Sequence, residues 1–377
     1  MLDSSSKAWP VNAGVTDRLV FRQALTDYDD VPPAIVAEGR SLDAPLVTIG
    51  IPTFRRLDLL VEAVRSVLAQ DFTRPFELIV VDNDPASRDW EGLLARVPEM
   101  RGRPFRYYVN SGNVGAFGNW NRCIELARGT WVSVLNDDDL LDANYLSLMF
   151  AELDRDPGID GIACLKTYFG GTENAPSEAS LATRAMSRRV LFESLKSLKG
   201  IRILARRLIE RAIVETSYRG RASRRIAPRK FFWGAVLGNG GGFMFRRAKA
   251  YEVGGYYPEE YPSSDIWFYA RFAKIGHLRQ HRAIAARIRR TEGNITVSTI
   301  TEQLKHGHRL FLTLAGSETP RWWRRLIPMF IARDRAEYER IWNTDVSRAQ
   351  VEAELGIRLP KDTPRLHAVL RLVLGGS

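Results

Sequence analysis

Cysteine and long hydrophobic runs are both scarce in this 377-residue sequence. The two cysteines, Cys123 and Cys164, are too few for a disulfide framework and form no C-x-x-C pair, so we expect a reduced, cytoplasmic protein. The longest interior stretch without charge, residues 231–245, contains five glycines, whereas a membrane-spanning helix needs about 18 apolar residues. The first ten residues lack the apolar segment of a signal peptide. We therefore expect a chain that does not cross a membrane.

The sequence also lacks the two glycine-rich loops that most often bind nucleotides. No G-x-x-x-x-G-K-[ST] motif occurs, and residues 52–55 (PTFR) stand where a dinucleotide-binding fingerprint would follow the first strand. The segment 112–118 matches G-x-x-G-x-x-G and opens a predicted helix, but its spacing is wrong for that fingerprint. A P-loop NTPase and a dinucleotide-dependent enzyme are thereby excluded.

Positive charge is abundant and is concentrated in one segment. The chain has a net charge of +11, and residues 181–230 contain fifteen Lys and Arg against three Glu. Apolar residues recur there at steps of three and four from Leu191 to Ala212, which predicts a basic amphipathic helix. Such a helix can bind an anionic membrane, a nucleic acid or a phosphate-bearing ligand, or it can simply present a charged face to solvent.

Apolar segments alternate between strand-like and helix-like periodicity along the first half of the chain. The alternation predicts an α/β fold with a mostly parallel, Rossmann-like sheet and helices on both faces. The predicted strands are 46–51, 76–81, 105–109, 130–135 and 159–165, and the predicted helices between them are 57–68, 115–127 and 142–153. A glycine-rich strand at 238–245, a helix at 264–275 ended by Gly276, and a helical tail from 301 follow.

Polar side chains stand at the carboxyl ends of these strands, where open parallel sheets bind their ligands. They are Thr53, Asp82, Asp84, Asn113 and the run Asp137, Asp138 and Asp139. Three consecutive carboxylates repel one another, and oxygen ligands suit Mg²⁺ or Mn²⁺ held together with substrate phosphates. Alternatively, Asp139 and Asp142 favour the N-terminus of the helix predicted to follow them. The two interpretations are compatible.

Four sequence blocks, taken in order, resemble family 2 glycosyltransferases with the GT-A fold. The blocks are 47–56 (VTIGIPTFRR), 77–84 (ELIVVDND), 113–139 (NVG to LNDDD) and 242–271 (GFMFRR through VGGY to SDIWFYAR). Together they span about residues 45–300. The resemblance implies inverting transfer of a sugar from a nucleotide-diphosphate-sugar, with a UDP-sugar expected, to an acceptor hydroxyl, assisted by Mn²⁺ or Mg²⁺.

The resemblance also assigns roles to individual residues. Asp265 aligns with the catalytic base, and Asp138 and Asp139 fall on the metal-binding motif, where Asn136 replaces a frequent first aspartate. The expected nucleotide-sugar contacts are Pro52, Thr53, Arg55, Asp82, Asp84, Asn113, Asp137 and Asp138. On residue type alone, Asp265 could equally be a helix cap. Trp233 and Trp267 are candidates for the acceptor side, although large aromatic residues are more often core.

Two further positions depart from the family pattern. Ser264 stands where many relatives have a glutamate before the base, and Thr291 stands where many have a histidine. Ser264 removes a negative charge beside Asp265, so we expect a smaller increase of the Asp265 pKa than in those relatives.

The chain is expected to comprise an N-terminal extension (1–44), a GT-A domain (45–300) and a helical C-terminal region (301–377). Within the GT-A domain we expect a nucleotide-sugar-binding half (45–165), a variable basic helical insertion (166–236) and an acceptor or catalytic half (237–300). The expected function is a step in bacterial surface polysaccharide or glycolipid assembly on a glycan or lipid-linked acceptor. Residues 181–230 and 321–331 are expected to attach the protein to the inner face of the cell membrane. The alternatives are an inactive GT-A-like scaffold and a basic protein that binds nucleic acid or another anionic surface; no nucleic acid is expected, because no recognition motif is present.

Overall fold

The computed structural model describes residues 19–170, 218, 220–233, 241–290, 295–317, 320–342 and 344–360. Its strands are β1 (Pro33–Glu38), β2 (Val47–Thr53), β3 (Phe76–Asp82), β4 (Phe105–Asn110), β5 (Trp131–Val134), β6 (Leu140–Leu141), β7 (Gly161–Phe169), β8 (Ser223–Arg225), β9 (Phe243–Arg246) and β10 (Leu278–Arg289). Its helices are α1 (Leu57–Leu68), α2 (Asp89–Arg96), α3 (Gly115–Leu126), α4 (Tyr145–Arg155), α5 (Arg247–Val253), α6 (Ser264–Ile275), α7 (Ile295–Ser298), α8 (Ile300–Ser317), α9 (Ile327–Trp342) and α10 (Arg348–Leu355).

The described strands form one mixed sheet in the order β1-β4-β3-β2-β5-β9-β7-β10-β6, with β8 paired to β10. The central strands β4, β3, β2 and β5 are parallel, and so are β7 and β10. Strand β9 is antiparallel to both β5 and β7, and β1 is antiparallel to β4. The predicted α/β architecture, with a parallel central sheet and flanking helices, is thus confirmed.

The two faces of the sheet are covered by separate apolar cores. All seven residues of β2 are buried, because helices pack on both sides of this central strand. Helices α1, α2 and α4 contribute to one core, and helices α3, α5, α6, α8 and α9 contribute to the other. Helix α3 lies so close to β2 that a Cβ on Gly50 would come within 2.7 Å of the Cβ of Cys123. This close contact fixes α3 against the middle of β2.

The sequence predictions omit strands β6, β8 and β10 and helices α2, α5 and α7, and three further elements differ from them. Strand β1 adds an edge strand in the segment interpreted as an extension, where no strand was predicted. The glycine-rich strand predicted at 238–245 begins at Phe243, because Gly241 and Gly242 form a turn; residues 238–240 lie outside the described residues. Helix α4 begins at Tyr145, so Asp139 and Asp142 precede it by more than one residue and Asn144 is its N-cap. Helix α6 has the predicted bounds and ends before Gly276.

The basic and C-terminal segments are described in part. The amphipathic helix predicted from Leu191 to Ala212 lies outside the described residues. After β10 the chain is helical, as predicted, and α8 packs against α9 and the 3₁₀ segment Pro228–Trp233 through the stacked rings of Phe232 and Phe311, whose centroids are 5.4 Å apart. Among the helices of the described residues, none combines the length and the apolar character that crossing a membrane requires.

Candidate active site

The first predicted site residues meet at the carboxyl end of β2. Pro52 and Thr53 close this strand, and Thr53 is 2% exposed. The Thr53 hydroxyl donates a hydrogen bond of 2.8 Å to Oδ2 of Asp137, which lies after β5. Because β2 and β5 are parallel neighbours, residues that follow their carboxyl ends fall at one edge. The structure thereby brings together Thr53 and the acidic run.

Asp82 ends the neighbouring strand β3 and is fully buried. Its Oδ2 accepts a 2.8 Å hydrogen bond from the Tyr107 hydroxyl, and its Oδ1 accepts a 3.0 Å bond from the backbone N–H of Asp84. Burial raises the pKa of the Asp82 carboxyl, and these hydrogen bonds oppose the increase. Tyr107 was not singled out in the sequence, because a tyrosine in a strand is usually a packing residue.

Asp84 and Arg55 join the loops that follow β3 and β2. Nε of Arg55 donates to Oδ2 of Asp84 at 2.5 Å, and this ion pair lowers the pKa of Asp84. Arg55 has φ of +57°, the one positive value at a non-glycine residue among the described residues. A side chain with a Cβ adopts this conformation at a cost, and such strain is typical of functional loops.

Asn113 lies in an amide network at the start of α3. Nδ2 of Asn83 donates to Oδ1 of Asn113 at 2.8 Å, and the same oxygen accepts the backbone N–H of Gly115. Nδ2 of Asn119 donates to the carbonyl of Val81 at 2.8 Å. These bonds fix the helix start beside the end of β3 and orient the exposed Asn113, whose predicted contact is with the donor.

The acidic run is paired with an arginine side chain, a contact that the sequence analysis did not identify. Nη1 of Arg56 lies 3.4 Å from Oδ1 of Asp137 and 3.2 Å from Oδ2 of Asp138. Burial nevertheless raises the pKa of Asp137 to about 6, and it raises the pKa of Asp138 as well. Asp139 is 2% exposed, and burial together with the charge of Asp138 raises its pKa further. Arg56 was the last residue of the first recognised block, and that position was its only signal.

The carboxylates of the acidic run offer the oxygen ligands that a hard divalent cation prefers. They differ in how far their oxygens are already occupied by hydrogen bonds. Oδ1 of Asp139 accepts the backbone N–H of Arg289 at 2.9 Å, and its Oδ2 accepts Nδ2 of Asn136 at 3.0 Å. The Asp138 carboxylate pairs with the exposed Arg56 side chain, and exchanging that ion pair would free a carboxylate oxygen for a cation. No group of three His, Cys, Asp or Glu side chains in the described ranges is arranged to hold a metal. Mg²⁺ is usually bound by one or two carboxylates, and substrate phosphates complete its coordination.

Asp265 lies in the first turn of α6 and is 6% exposed. Its Oδ1 accepts the N–H of Ile266 at 2.9 Å, and burial raises its pKa to about 6. The N-cap of α6 is Ser263, so Asp265 does not occupy the cap position. The charge of Lys166, a buried residue of β7, lowers the pKa of both Asp265 and Asp139. Both carboxylates therefore lie within the electrostatic reach of one ammonium group.

The two tryptophans that are candidates for the acceptor side have few described contacts. Trp267 is half-buried against the core, and its Nε1–H is buried without an acceptor among the described residues. Trp233 ends a 3₁₀ segment whose last side chains lie outside the described set, and Thr291 is outside it as well. A buried donor without a partner costs free energy unless a ligand or water accepts from it.

Comparison with known proteins agrees with the sequence resemblance. The family model "Glycosyl transferase family 2" matches residues 48–254. WcaA of Escherichia coli, named for glycosyl transfer in colanic acid biosynthesis, is 36% identical over 107 residues, which are 28% of this chain and 37% of WcaA. The Campylobacter jejuni GalNAc(5)-diNAcBac-PP-undecaprenol β-1,3-glucosyltransferase is 34% identical over 106 residues, 28% of this chain and 33% of that protein. The matches span about a third of the length of these relatives.

Solved structures support the fold. The S. aureus TarS 1–349 structure in complex with UDP-GlcNAc has a TM-score of 0.50 at 11% identity, covering 78% of this chain and 72% of TarS 1–349. At that identity the likeness concerns the fold alone. The family match extends over more than half of the chain, from β2 through the acidic run to the end of α5. On this basis the chain belongs to glycosyl transferase family 2.

Proposed function

We propose that the protein transfers a sugar from a nucleotide-diphosphate-sugar to an acceptor hydroxyl with inversion. The observation that carries the proposal is the arrangement at the carboxyl edge of the sheet. Thr53 and Asp137 are hydrogen-bonded there, Asp139 accepts the backbone N–H of Arg289 in β10, and Asp265 has a buried carboxylate in the first turn of α6. One site then combines donor-binding groups with a candidate base, as a single displacement requires.

Asp265 is the proposed base. Its ionised carboxylate takes the proton of the acceptor hydroxyl while the acceptor oxygen attacks the anomeric carbon of the donor sugar and the bond to the departing diphosphate breaks. A pKa of about 6 suits this role, because the group is mostly ionised at neutral pH yet more basic than an ordinary aspartate. Its burial also keeps water from competing for the proton.

The acidic run and the neighbouring arginines are proposed to bind the donor diphosphate. Asp138, with Asp139 next to it, would hold Mn²⁺ or Mg²⁺, which when bound supplies Lewis-acid stabilisation of the leaving group. Arg56 lies against Asp138 at 3.2 Å and is 41% exposed in its side chain, so it can move toward phosphate oxygens once the carboxylate is otherwise engaged. Arginine is well suited to phosphate because its guanidinium presents parallel donors.

The remaining donor contacts are proposed for the nucleoside. They are Pro52, Thr53, Arg55, Asp82, Asp84, Asn113 and Asp137, at the carboxyl ends of β2, β3, β4 and β5. UDP is the proposed nucleotide. The printed names of the relatives, which refer to colanic acid biosynthesis and to an undecaprenol-linked glucosyltransferase, support a glycan or lipid-linked acceptor in polysaccharide or glycolipid assembly.

A thermal-shift screen tests this function. UDP or a UDP-sugar with Mn²⁺ at about 100 times its Kd is expected to stabilise the protein by about 2.7 kcal/mol, a shift of several degrees. Asp82→Asn is expected to lose most of the shift with free UDP as well as with the UDP-sugar, because Asp82 is assigned to the nucleoside rather than the sugar. Asp154→Asn, an exposed carboxylate paired with Arg74 at the end of α4, is the control and should keep it.

Two results would contradict this assignment. Stabilisation by no nucleoside diphosphate, with or without Mn²⁺, would contradict a nucleotide-sugar donor. A loss in Asp82→Asn that is confined to the sugar-bearing donor would place Asp82 elsewhere in the pocket.

We propose that the protein also lies on the inner face of the cell membrane. The 3₁₀ segment Arg321–Leu326 buries Trp323 against Phe232, with ring centroids 5.1 Å apart, and exposes Trp322, which is 51% accessible. Arg324 and Arg325 are exposed in the same turn. A tryptophan and arginines on one rigid turn are typical of contact with an anionic lipid surface. The basic segment 181–230 is proposed to add to this contact.

Vesicle flotation tests the membrane proposal. Arg325→Gln is expected to weaken binding to phosphatidylglycerol-containing vesicles about fivefold, since a basic residue near such a surface contributes about 1 kcal/mol. The control Arg74→Gln makes the same charge change far from this turn and should bind normally. Equal flotation with neutral and anionic vesicles would contradict the electrostatic contact.

The domain division proposed from the sequence is retained as a working hypothesis. Residues 45–300 are proposed as the catalytic unit, with a donor half at 45–165 and an acceptor half at 237–300. Residues 301–377 are proposed as a helical C-terminal region.

A further inference from the structure

A tyrosine on the loop before α6 has two guanidinium groups against its ring. The guanidinium carbon of Arg22 lies 4.8 Å from the ring centroid of Tyr257, and that of Arg271 lies 3.5 Å from it. Arg271 belongs to α6 and is 1% exposed, whereas Arg22 belongs to a segment more than 230 residues earlier in the chain. Two cations over one ring are favourable only if nearby carboxylates balance their charge.

Those carboxylates are present on the same loop. Nε and Nη2 of Arg22 donate to the two carboxylate oxygens of Glu259 at 2.7 and 2.6 Å, a bidentate pair. Nη1 of Arg271 donates to Oε1 of Glu260, which is the next residue. Each arginine therefore has its own glutamate, and Tyr257 lies against both guanidinium groups.

Residues 22–31, which we call the N-terminal strap, are also bound to this loop through the backbone. The N–H of Arg22 donates to the Tyr257 hydroxyl at 2.7 Å, and the N–H of Ala24 donates to the carbonyl of Gly254 at 2.9 Å. Gly254 has φ of +81°, and a Cβ there would lie 1.6 Å from the carbonyl oxygen of Arg22. Only glycine permits the strap to approach this closely.

The loop is in turn bound to the first turn of α6. The carbonyl of Glu260 accepts the N–H of Ser263 at 2.8 Å, and the second oxygen of the Glu260 carboxylate lies 3.5 Å from the Ser264 hydroxyl. Nη2 of Arg271 donates to the carbonyl of Gly255 at 3.1 Å. Continuous contacts therefore run from Arg22 through the loop to Ser264, the residue directly before Asp265.

We propose that the N-terminal strap positions Asp265 for transfer, with Arg22 as its positioning residue. The strap lies outside the family match at 48–254. The proposed positioning contact therefore comes from a segment outside the matched domain. The proposal rests on the proposed function of Asp265, but its structural part, that Arg22 orders residues 254–266, stands separately. Arg22 does not contact the residues assigned to the donor, so its loss should affect turnover rather than donor binding.

The experiment compares Arg22→Met with Arg74→Met in the full chain. Arg74 is a matched control, because it also pairs with a carboxylate, Asp154 at 2.9 Å, and lies over an aromatic ring, that of Phe150 at 4.9 Å. Hydrogen exchange of peptides covering 254–266 is expected to accelerate at least about fivefold in Arg22→Met and to be unchanged in the control. With UDP-sugar and an acceptor, kcat is expected to fall about 10- to 100-fold, and the donor KM to change less than about twofold.

Two further variants make the result decisive. Arg22→Lys keeps the charge but loses the bidentate pair, so its exchange rate and kcat should lie between those of the native protein and Arg22→Met. Tyr257→Phe keeps the ring and removes the hydroxyl contacts, which provides the same comparison if Arg22→Met does not fold.

The outcomes separate this proposal from the proposed function. Unchanged exchange at 254–266 in Arg22→Met would overturn the strap proposal whatever the activity. Faster exchange with native kcat would overturn the positioning role. A third outcome is faster exchange and a lowered kcat in Arg22→Met together with full activity of Asp265→Asn. The strap would then order the loop for a base other than Asp265. This result would overturn both the assignment of Asp265 as base and the proposal that the strap positions it.

Discussion

Replacing Asp265 by asparagine is expected to lower the transfer rate by about 10²–10⁴-fold and to leave nucleotide binding unchanged. The amide keeps the size of the side chain, and its oxygen can still accept the N–H of Ile266. It cannot take the proton of the acceptor hydroxyl. Donor contacts are assigned to Thr53, Asp82 and Asp137 on other elements, so calorimetry with UDP should give the native affinity.

Single-turnover transfer at saturating donor is the measurement. The control is Asp160→Asn, since Asp160 accepts the backbone N–H of His277 at 2.8 Å beyond the other end of α6. In the native protein the rate should rise with pH through about 6, where Asp265 ionises, and this limb should be missing in Asp265→Asn. Near-native turnover by Asp265→Asn would assign the proton to another group.

The same substitution is expected to stabilise the protein at neutral pH. Burial raises the Asp265 pKa from 3.8 to about 6, so the folded state binds its proton more tightly than the unfolded state. The charged form therefore costs stability above about pH 6, and the cost disappears as the pH falls toward 4. Asp265→Asn should melt a few degrees higher than the native protein at pH 8, with a smaller difference at pH 4.5. A lower melting temperature at pH 8 would contradict this burial cost.

The sequence was sufficient to predict that the candidate site residues meet at one edge of the sheet. Thr53, Asp82 and Asp137 follow separate apolar strands, and parallel pairing places the carboxyl ends of such strands together. That inference needs only local periodicity and the crossover rule. The same local pattern predicted both bounds of α6, because Gly276 follows its last apolar residue.

Contacts between distant segments were beyond the sequence analysis. Arg22 meets Glu259 across 237 residues, and no periodicity or motif indicates which of 55 cationic residues pairs with which of 44 carboxylates. Strand β1 was missed for a related reason: it is short and half-exposed, and its position depends on the free edge of β4. Arg56 pairs with the acidic run only because the chain turns at Arg55, where φ is positive.

Asp138→Asn is expected to remove the effect of Mn²⁺ on nucleotide binding. In the native protein Mn²⁺ should tighten UDP binding about tenfold or more, about 1.4 kcal/mol, since the cation would join Asp138 to the diphosphate. Without the Asp138 charge this gain should be lost. In EDTA the variant should bind UDP at least as tightly as the native protein, because Arg56 no longer pairs with Asp138 at 3.2 Å and is available to phosphate.

Calorimetry distinguishes these contributions. UDP binding is measured in Mn²⁺ and in EDTA for the native protein, Asp138→Asn and Arg56→Met. Arg56→Met should weaken binding in both conditions and keep the ratio between them, whereas Asp138→Asn should change the ratio alone. Asp154→Asn is the control for removing an aspartate charge elsewhere on the surface and should match the native protein. An unchanged Mn²⁺ ratio in Asp138→Asn would exclude Asp138 as a ligand. A reduced affinity of that variant in EDTA would instead indicate that Asp138 contacts the nucleotide directly, with Arg56 held in its ion pair with Asp137.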